Sequence, residues 1–571
     1  MAPRRRGPHR TPVLTVFVAL ALLAAGCGAS KKSAARPPTP TPTPTPSVSP
    51  VPSPTPSPSL GGPSTAPSTA ASPAPGGGFG GLAVPALTWH TCTAPFQCSS
   101  IQVPLDWSKP TSAPTVTLSL IRLPASGAKS ERIGSLFVNP GGPGASAVDF
   151  VRSIQFVLPD SVLRRFDIVG FDPRGMGHSQ PISCLSGPQM DAFLASNPAP
   201  STQADIDAVV AADKQFDAGC LAAAGSAFLA HIDTLDADRD MDFIRAALGD
   251  AKLTYVGYSY GTFLGAEYAN LFPTHVRALV LDGAVDPAVG ALAFDAQQAQ
   301  GFDNEMGQFF ASCASGCAFA NGTNVRAAFQ ALEAKVTANP LKVGSRMLNQ
   351  ALFLDGVADA MYQPAEWPTL ASALQAASNG DGAKLLGLAD EITDRSSNGT
   401  YDALTSAGPA VDCVDSTYPT DVATFQADAQ AAAAQAPIFG PAIVWSSLVC
   451  AFWPVPPVIT PAPVHAIGAP PIMVVGTTGD PATPYPLAVS LASELSSGVL
   501  LKHVGQGHTS LGQGSDCVTN AEATYLISLS APANGASCGN GGSPTPPAGG
   551  SGVSAAYRPE PRTRPSGTPR R

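Results

Sequence analysis

The sequence predicts an α/β fold in which a mostly parallel, doubly wound sheet carries a large, mainly helical insertion. Short apolar runs recur along the chain without alternating polar residues, and glycine-rich turns follow most of them. Runs of this kind are typical of strands that helices cover on both faces. Residues 288–468 lack this rhythm and are alanine-rich with helical spacing, so we expect a cap over the carboxyl ends of the strands. The strand-like runs are TVTLSLIRL, GSLFVNPGGPG, FDIVGFDPRGMG, LTYVGYSYG, VRALVLDGAVDP and PIMVVGTTGDP.

The predicted fold occupies the middle of the chain. Residues 82–287 form the first part of the sheet domain, 288–468 the cap, and 469–540 the C-terminal part of the sheet domain. Residues 27–81 are a Pro/Thr/Ser-rich tether that extends by about 3 Å per residue where it is stiff. Together with the tail, residues 541–571, this tether offers few apolar side chains to bury, so both segments are predicted to be disordered.

Residues 1–26 have the features of an export signal. Several arginines precede a short apolar stretch, which ends in LLAAGC at Cys27. This ending resembles a lipoprotein signal, in which the cysteine is acylated and becomes the first residue, although Ala24 stands where leucine is usual. A plain secretory signal is the alternative. We expect an exported protein, anchored by lipid at the outer face of the membrane or cell wall or released from it.

The cysteine count agrees with export. The chain has 11 cysteines, and setting Cys27 aside leaves an even number. Disulfides form in oxidising compartments, and these ten cysteines fall into neighbouring pairs, although about 945 pairings are possible. The expected disulfides are Cys92–Cys98, Cys184–Cys220, Cys313–Cys317, Cys413–Cys450 and Cys517–Cys538.

Composition and motifs argue against several classes of function. The net charge of −9 leaves no basic footprint for nucleic acid. No GxxxxGK[ST], paired CxxC or HExxH pattern occurs, so neither nucleotide nor zinc chemistry is expected. We predict a monomer that needs no cofactor and no metal.

Ser259 is the candidate nucleophile. It lies at the centre of a G-x-S-x-G pattern with Gly257 and Gly261, which alone is weak because 55 glycines give on the order of 0.3 to 0.5 chance matches. The context strengthens it, since a buried strand precedes the serine and a helical pattern follows it. A strand–turn–helix of this kind holds a serine exposed at the end of a sheet.

A nucleophilic serine needs a base and an acid that orients the base. Asp480 follows the strand pattern PIMVVGTTG, where an inward-pointing carboxylate is expected, although an Asp-Pro turn is the alternative. Of two downstream histidines, His503 continues a strand, whereas His508 lies in a glycine-rich loop that could reach Ser259. We therefore predict Asp480 as the acid and His508 as the base.

Backbone N–H groups of Tyr260 and Gly142 are the predicted oxyanion donors. Tyr260 follows the nucleophile, and Gly142 lies in NPGGPG after a predicted strand, with Gly141 as second choice. The flanking prolines have no N–H to donate.

Several motifs together resemble the secreted tripeptidyl-aminopeptidase branch of the α/β-hydrolases, which is related to proline iminopeptidases. The resemblance covers nearly all of residues 82–540, and the C-terminal stretch DCVTNAEATYLISLSAPANGASC is similar to the final region of that family. The motifs are NPGGPG, GFDPRGMGHS, YVGYSYGTFLGAEYANLFPTHVRALVLDGAVDP, VDCVD, CAFWP, GDPATPY and GQGHTS.

The resemblance implies an α/β-hydrolase fold and a serine exopeptidase that releases short peptides, di- or tripeptides, from free N-termini. It assigns nucleophile, acid and base to Ser259, Asp480 and His508. Selection of a free amine needs carboxylates beside the site, and Asp415 and Glu305 are the candidates from the cap, with Glu267 a weaker one. A carboxylesterase or lipase with the same triad is one alternative. A non-catalytic lipoprotein that binds peptides or solutes is another.

Overall fold

The computed structural model describes residues 79–539 and 543–545. The predictions for the export signal, Cys27, residues 27–78 of the tether and most of the tail lie outside the described residues. Within the part that is described, no helix combines the length and apolar character needed to cross a membrane.

The core of the protein is a ten-stranded mixed sheet in the order β1-β2-β3-β5-β4-β6-β7-β10-β11-β12. The first three strands and the β3–β5 pair are antiparallel, and every neighbouring pair from β5 to β12 is parallel. The ten strands of this sheet are β1 His90–Thr93, β2 Phe96–Pro104, β3 Thr115–Leu123, β4 Gly134–Asn139, β5 Phe166–Phe171, β6 Leu253–Tyr258, β7 Val276–Asp282, β10 Ile472–Gly479, β11 Gly498–Gln506 and β12 Ala536–Cys538. Strands β8 Leu341–Val343 and β9 Arg346–Leu348 form a separate two-stranded sheet.

Helices cover both faces of this sheet, as the uninterrupted apolar strands predict. Every residue of β4, β5 and β6 is buried. Successive residues of a strand point to opposite faces, so Tyr255 and its neighbour Val256 belong to two different apolar clusters. Helices α6, α7 and α16 pack on one face, and α1, α2 and α17 pack on the other. These helices are α1 Ala147–Ile154, α2 Asp160–Leu163, α6 Thr234–Ala247, α7 Tyr260–Leu271, α16 Tyr485–Glu494 and α17 Asp516–Ser528.

The cap lies between β7 and β10 and has an apolar core of its own. It consists of helices and the small antiparallel β8–β9 sheet. Phe309, Phe329 and Phe353 are almost fully buried in this second core. The helices of the cap are α8 Ala291–Ala314, α9 Val325–Ala338, α10 Gln350–Met361, α11 Trp367–Ser378, α12 Ala383–Ile392, α13 Leu404–Asp415, α14 Val422–Gln435 and α15 Gly440–Ser446.

A second helical segment, between β5 and β6, extends the cap. It contains α3 Gly187–Leu194, α4 Gln203–Ala224 and α5 Ser226–Leu229. Ile206 and Val209 of α4 pack against Phe425 and Trp445 of the cap in a shared apolar cluster. The segment falls within residues 82–287, the predicted first part of the sheet domain, because nothing in its local sequence distinguishes it from the helices that cover the sheet.

The five expected disulfides are all present, and their pairing is confirmed. Cys184–Cys220 ties α4 to the loop that follows β5, and Cys413–Cys450 joins α13 to the short 3-10 helix Ser447–Phe452. The others are Cys92–Cys98, Cys313–Cys317 and Cys517–Cys538. These bonds occur in both the sheet domain and the cap.

Candidate active site

Ser259 occupies a strained turn between β6 and α7. Its φ of 56° and ψ of −128° lie in a region that residues with a side chain rarely adopt. Glycines on both sides permit this turn. A Cβ at Gly257 would collide with the backbone carbonyl of Gly261, and a Cβ at Gly261 would lie 2.8 Å from Oδ1 of Asn139. This geometry places the half-buried serine at the strand end, where it lines a cavity.

Asp480 and His508 come from the carboxyl ends of the two strands beyond β7. Nδ1 of His508 lies 2.8 Å from Oδ1 of Asp480, and because a carboxylate can only accept, Nδ1–H is the donor. The other ring nitrogen, Nε2, is buried and has no hydrogen-bond partner in the described part of the chain. It is free to accept a proton. His503, by contrast, is buried within β11 with Nδ1 3.0 Å from Oγ1 of Thr477.

Backbone N–H groups orient Asp480 independently of the histidine. Oδ1 accepts from the N–H groups of Ala482 and Thr483 at 3.0 and 2.8 Å, and Oδ2 accepts from that of Thr509 at 2.8 Å. Both carboxylate oxygens are therefore fixed, and the His508 ring is oriented by a rigid partner.

Asp282, at the end of β7, links the nucleophile to the loop of the base. Its carbonyl accepts the Ser259 N–H at 3.0 Å. Its carboxylate accepts the N–H of Ser510 at 2.9 Å and the Ser510 hydroxyl at 2.9 Å. Sequence reasoning missed this residue, although an aspartate at the end of a buried strand in VRALVLD was a usable signal.

The cap also contacts the base. The His508 N–H donates to the carbonyl of Tyr362 at 2.8 Å, and the two rings meet edge to face with centroids 5.3 Å apart. Tyr362 follows α10 and packs on Phe302 of α8. The position of the histidine thus depends on cap packing as well as on the sheet.

The NPGGPG loop lies directly against the elbow. A Cβ at Gly141 would come within 2.8 Å of the Ser259 Cβ and 3.1 Å of the Tyr260 nitrogen. The Gly141 N–H already donates to Oδ1 of Asn139 at 2.8 Å. The Gly142 N–H has no acceptor among the described residues, and Tyr260, as the first residue of α7, has no intrahelical one. Two N–H groups beside Ser259 therefore remain available for an oxyanion.

A cavity of about 320 Å³ opens at Ser259 and reaches into the cap. Its lining near the elbow includes Ser259, Gly142 and Tyr260. Its cap-side lining is rich in carboxylates and polar groups, namely Asp286, Asp295, Gln298, Asp412, Asp415, Ser416, Tyr418, Ser446 and Ser447. The structure thus brings the predicted oxyanion donors and Asp415 to the same cavity as the nucleophile.

Asp415 lines the cavity, but both of its oxygens are already engaged. Oδ1 accepts the Thr234 N–H at 2.8 Å, and Oδ2 accepts the Thr234 hydroxyl at 2.6 Å. Because that hydroxyl donates to Asp415, it accepts from the Tyr260 hydroxyl, whose oxygen is 2.5 Å away. Burial, with Asp233 and Asp412 nearby, raises the pKa of Asp415 well above its usual value. Asp415 therefore anchors the side chain of Tyr260.

Asp295 of α8 is less satisfied than Asp415, and Asp412 of α13 is exposed to the cavity. Oδ2 of Asp295 is buried and has no hydrogen-bond partner in the described part of the chain. Burial raises the pKa of each of these carboxyl groups to about 7, so both titrate near neutrality. Neither forms a salt bridge with a described residue. Sequence reasoning missed both, although Asp412 lies in the VDCVD motif.

The structure does not bring Glu305 to this cavity, which corrects its expected position. Glu305 is also on α8, but it lines a separate cavity together with Asp480 and Gln506. Burial, with Asp480 nearby, raises its pKa to about 8. Glu267 is likewise buried in α7 and is absent from the lining. Neither residue is placed to meet a substrate amine beside Ser259.

One group of side chains has the spacing of a metal site but already contains a positive charge. Ligand atoms of His231, Asp233 and Asp236 lie within 4.8 Å of one another. Nδ1 of His231 is 2.9 Å from Oδ2 of Asp236, and the buried Arg174 guanidinium lies 3.4 Å from the same oxygen. Internal ion pairs therefore account for this group.

The fold and this site define a serine hydrolase. A strained serine at the end of a parallel strand, an Asp–His pair from the following strands and free N–H groups beside the serine are the components of acyl transfer. The family described as "alpha/beta hydrolase fold" matches residues 134–512, which is more than half of the chain. The chain belongs to this α/β-hydrolase family.

Three relatives have names that describe more specific activities than the family does. The serine protease Hip1 of Mycobacterium tuberculosis is 38% identical over 456 residues, 77% of this chain and 87% of that protein. Carboxylesterase B of the same organism is 37% identical over 505 residues, 84% of this chain and 96% of the relative. The tripeptidyl aminopeptidase of Streptomyces lividans is 31% identical over 477 residues, 81% of this chain and 88% of that enzyme. Two of these three names describe peptidases and one describes an esterase.

Proposed function

We propose that the protein is a serine aminopeptidase that releases short peptides, two or three residues long, from free N-termini. One observation carries the proposal. The cavity at Ser259 is lined by carboxyl groups that form no salt bridge with a described residue, and Oδ2 of the buried Asp295 has no hydrogen-bond partner among those residues. A buried unpaired carboxylate is costly, and a substrate ammonium would satisfy it.

The chemistry follows from the geometry of the triad. Nε2 of His508 accepts the Ser259 proton as the hydroxyl oxygen attacks the scissile carbonyl carbon. Asp480 keeps Nδ1 protonated and stabilises the imidazolium. The N–H groups of Gly142 and Tyr260 donate to the oxyanion. His508 then protonates the leaving amine, and water repeats the sequence on the acyl-enzyme.

Asp295 and Asp412 are the residues we propose for the substrate amine, with Asp415 holding the Tyr260 side chain beside them. Asp415 was the candidate from sequence, and its two bonds to Thr234 leave it less available than Asp295. The distance from the nucleophile to these carboxyl groups would set how many residues are released.

The relatives support a peptidase and keep one alternative open. The names Hip1 serine protease and tripeptidyl aminopeptidase describe peptide-bond cleavage in those proteins, whereas carboxylesterase B describes ester cleavage in a relative of similar identity. Esters would use the same triad without requiring a carboxylate at the end of the cavity. A binding protein without catalysis would not require the strained serine, the oriented histidine or the free N–H groups.

The test compares unblocked peptide p-nitroanilides of one to three residues with their N-acetylated counterparts and with p-nitrophenyl esters. We expect the free amine to raise kcat/KM by about 100-fold, since an ammonium paired with a desolvated carboxylate is worth several kcal/mol. Asp295→Asn lowers this preference about tenfold and leaves ester turnover unchanged. Rapid ester turnover with no preference for a free amine would overturn the peptidase proposal.

Glu305→Gln is the matched control. It removes a second buried carboxyl from the same helix, outside the cavity, and leaves the preference for a free amine unchanged. Mass spectrometry of products from unblocked peptides of graded length identifies the number of residues released.

We propose in addition that the protein is exported and held at the outer face of the membrane or cell wall by a lipid on Cys27. The support is the LLAAGC sequence and the five disulfides, which persist in oxidising compartments. Incorporation of a labelled fatty acid into the wild-type chain and its loss in Cys27→Ala test the anchor. Secretion without incorporation would contradict it.

A further inference from the structure

A second cavity, of about 360 Å³, lies in the cap beside the one that contains Ser259. It is enclosed by the helical segment between β5 and β6 on one side and by α10, α13 and α15 on the other. Asn197, which is exposed, lines its outer part. Four residues line both cavities, so the two adjoin: Asp412, Tyr418, Ser446 and Ser447.

The polar part of this second cavity is acidic and contains no positive charge. Asp213 of α4, Asp355 of α10 and Asp412 contribute carboxyl groups, and no lysine, arginine or histidine is among the described residues that line it. Asp213 is only 5% exposed, and its Oδ2 has no hydrogen-bond partner in the described part of the chain. Burial, reinforced by Asp217, raises the pKa of Asp213 to about 8, and burial raises that of Asp355 to about 7.

The rest of the wall is apolar. Phe193, Leu354 and Trp445 line it together with Val209 and Val449. Apolar walls and a carboxylate without a cation suit a ligand with an aliphatic stem and a positively charged head. Lysine and arginine side chains combine these properties, because their methylene groups pack on apolar surfaces while the charged group meets a carboxylate.

We propose that this cavity is a specificity subsite for a lysine or arginine side chain of the peptide whose reacting carbonyl lies at Ser259. The inference rests on the proposed peptidase function and extends it to a substrate class. Asp213 and Asp355 pair with the ammonium or guanidinium group, and the apolar wall contacts the stem.

The experiment places lysine in turn at each residue of unblocked tripeptide p-nitroanilides and compares each peptide with its norleucine counterpart. Norleucine keeps an aliphatic stem without the charge. At one position we expect lysine to raise kcat/KM about tenfold over norleucine, as a buried ion pair to substrate does. Asp213→Asn and Asp355→Asn each reduce that ratio to near one.

Asp207→Asn is the matched control, because Asp207 lies on the same helix but is exposed. It leaves the lysine-to-norleucine ratio unchanged. A second measurement needs only wild-type protein: lysinamide should inhibit p-nitrophenyl ester hydrolysis about tenfold more strongly than norleucinamide.

Equal turnover of lysine and norleucine peptides at every position would overturn the subsite and leave the peptidase function standing. A lysine preference that persists in both asparagine variants would also overturn it. Hydrolysis of esters with no turnover of any peptide would instead refute the proposed function on which the subsite rests.

Discussion

Asp480 in the sheet domain and Asp295 in the cap are both buried carboxylates near one reaction centre, yet they are held in opposite ways. Their exposed fractions are similar, 3% and 7%. Asp480 accepts three backbone N–H groups and the His508 ring, whereas Oδ2 of Asp295 has no partner among the described residues. The two carboxylates therefore have different roles. The hydrogen bonds of the sheet domain fix Asp480 for catalysis, whereas the cap leaves one oxygen of Asp295 for an incoming group to bind.

The largest expected effect comes from removing the nucleophile. Ser259→Ala should lower kcat/KM for every substrate by at least about 10⁴-fold, because no other group can form the acyl-enzyme. Loss of labelling by a fluorophosphonate probe measures the same change. Ser493→Ala, at an exposed position on α16, keeps full activity and labelling. Residual labelling in Ser259→Ala would place the nucleophile elsewhere.

The next effect tests how the sheet domain holds the base. Asp282→Ala should lower kcat about 10- to 100-fold with KM nearly unchanged, because it releases Ser510 and with it the loop that carries His508. Ser510→Ala keeps the backbone N–H bond to Asp282 and should cost less. The rate of fluorophosphonate labelling should fall more in Asp282→Ala than in Ser510→Ala. A rise in KM at constant kcat would show that Asp282 acts on binding instead.

The pH dependence separates the cap carboxylates from the triad. Burial raises the pKa of Asp295 and Asp412 to about 7, so below neutrality they are protonated and attract an ammonium weakly. The ratio of kcat/KM for free-amine over acetylated peptides should rise about tenfold from pH 5.5 to pH 7.5. It should fall again as the substrate α-amine, with a pKa of about 8, loses its proton. Asp295→Asn flattens the rise, and a ratio independent of pH in the wild type would contradict the assignment.

The smallest expected effect on kcat comes from substituting Tyr362, where the cap contacts the loop that carries His508. Tyr362→Leu removes the ring that packs edge to face on His508 but keeps the carbonyl that accepts its N–H. We expect kcat to fall about three- to tenfold, the scale of one aromatic contact. Tyr362→Phe retains the ring and should retain kcat within twofold. If both variants lower kcat equally, the hydroxyl group rather than the ring contributes, and if neither lowers it, the ring contact does not affect catalysis.

The difference between the sheet domain and the cap also explains which site residues the sequence could predict. Ser259, Asp480 and His508 follow β6, β10 and β11, and parallel strands bring their carboxyl ends to one edge, so local pattern sufficed to predict where they lie. Asp295 and Glu305 lie on one helix ten residues apart, and nothing local shows which faces the cavity. That depends on how α8 packs between the sheet and the rest of the cap. Asp213 was out of reach for the same reason, since its cavity forms only when α4 meets α10, α13 and α15.

The unpaired carboxyl groups of the cap also affect how heat stability depends on acidity. Burial raises the pKa of Asp213 to about 8 and those of Asp217, Asp295, Asp355 and Asp412 to about 7, whereas an unfolded aspartate titrates near 4. Between these values the folded chain binds more protons than the unfolded chain, so the free energy of unfolding falls as pH rises. The melting temperature should therefore be higher at pH 5.5 than at pH 8.5, the reverse of ordinary acid denaturation. An enzyme with this balance should tolerate mildly acidic surroundings, and a cationic ligand that fills the cap should restore the stability lost at alkaline pH.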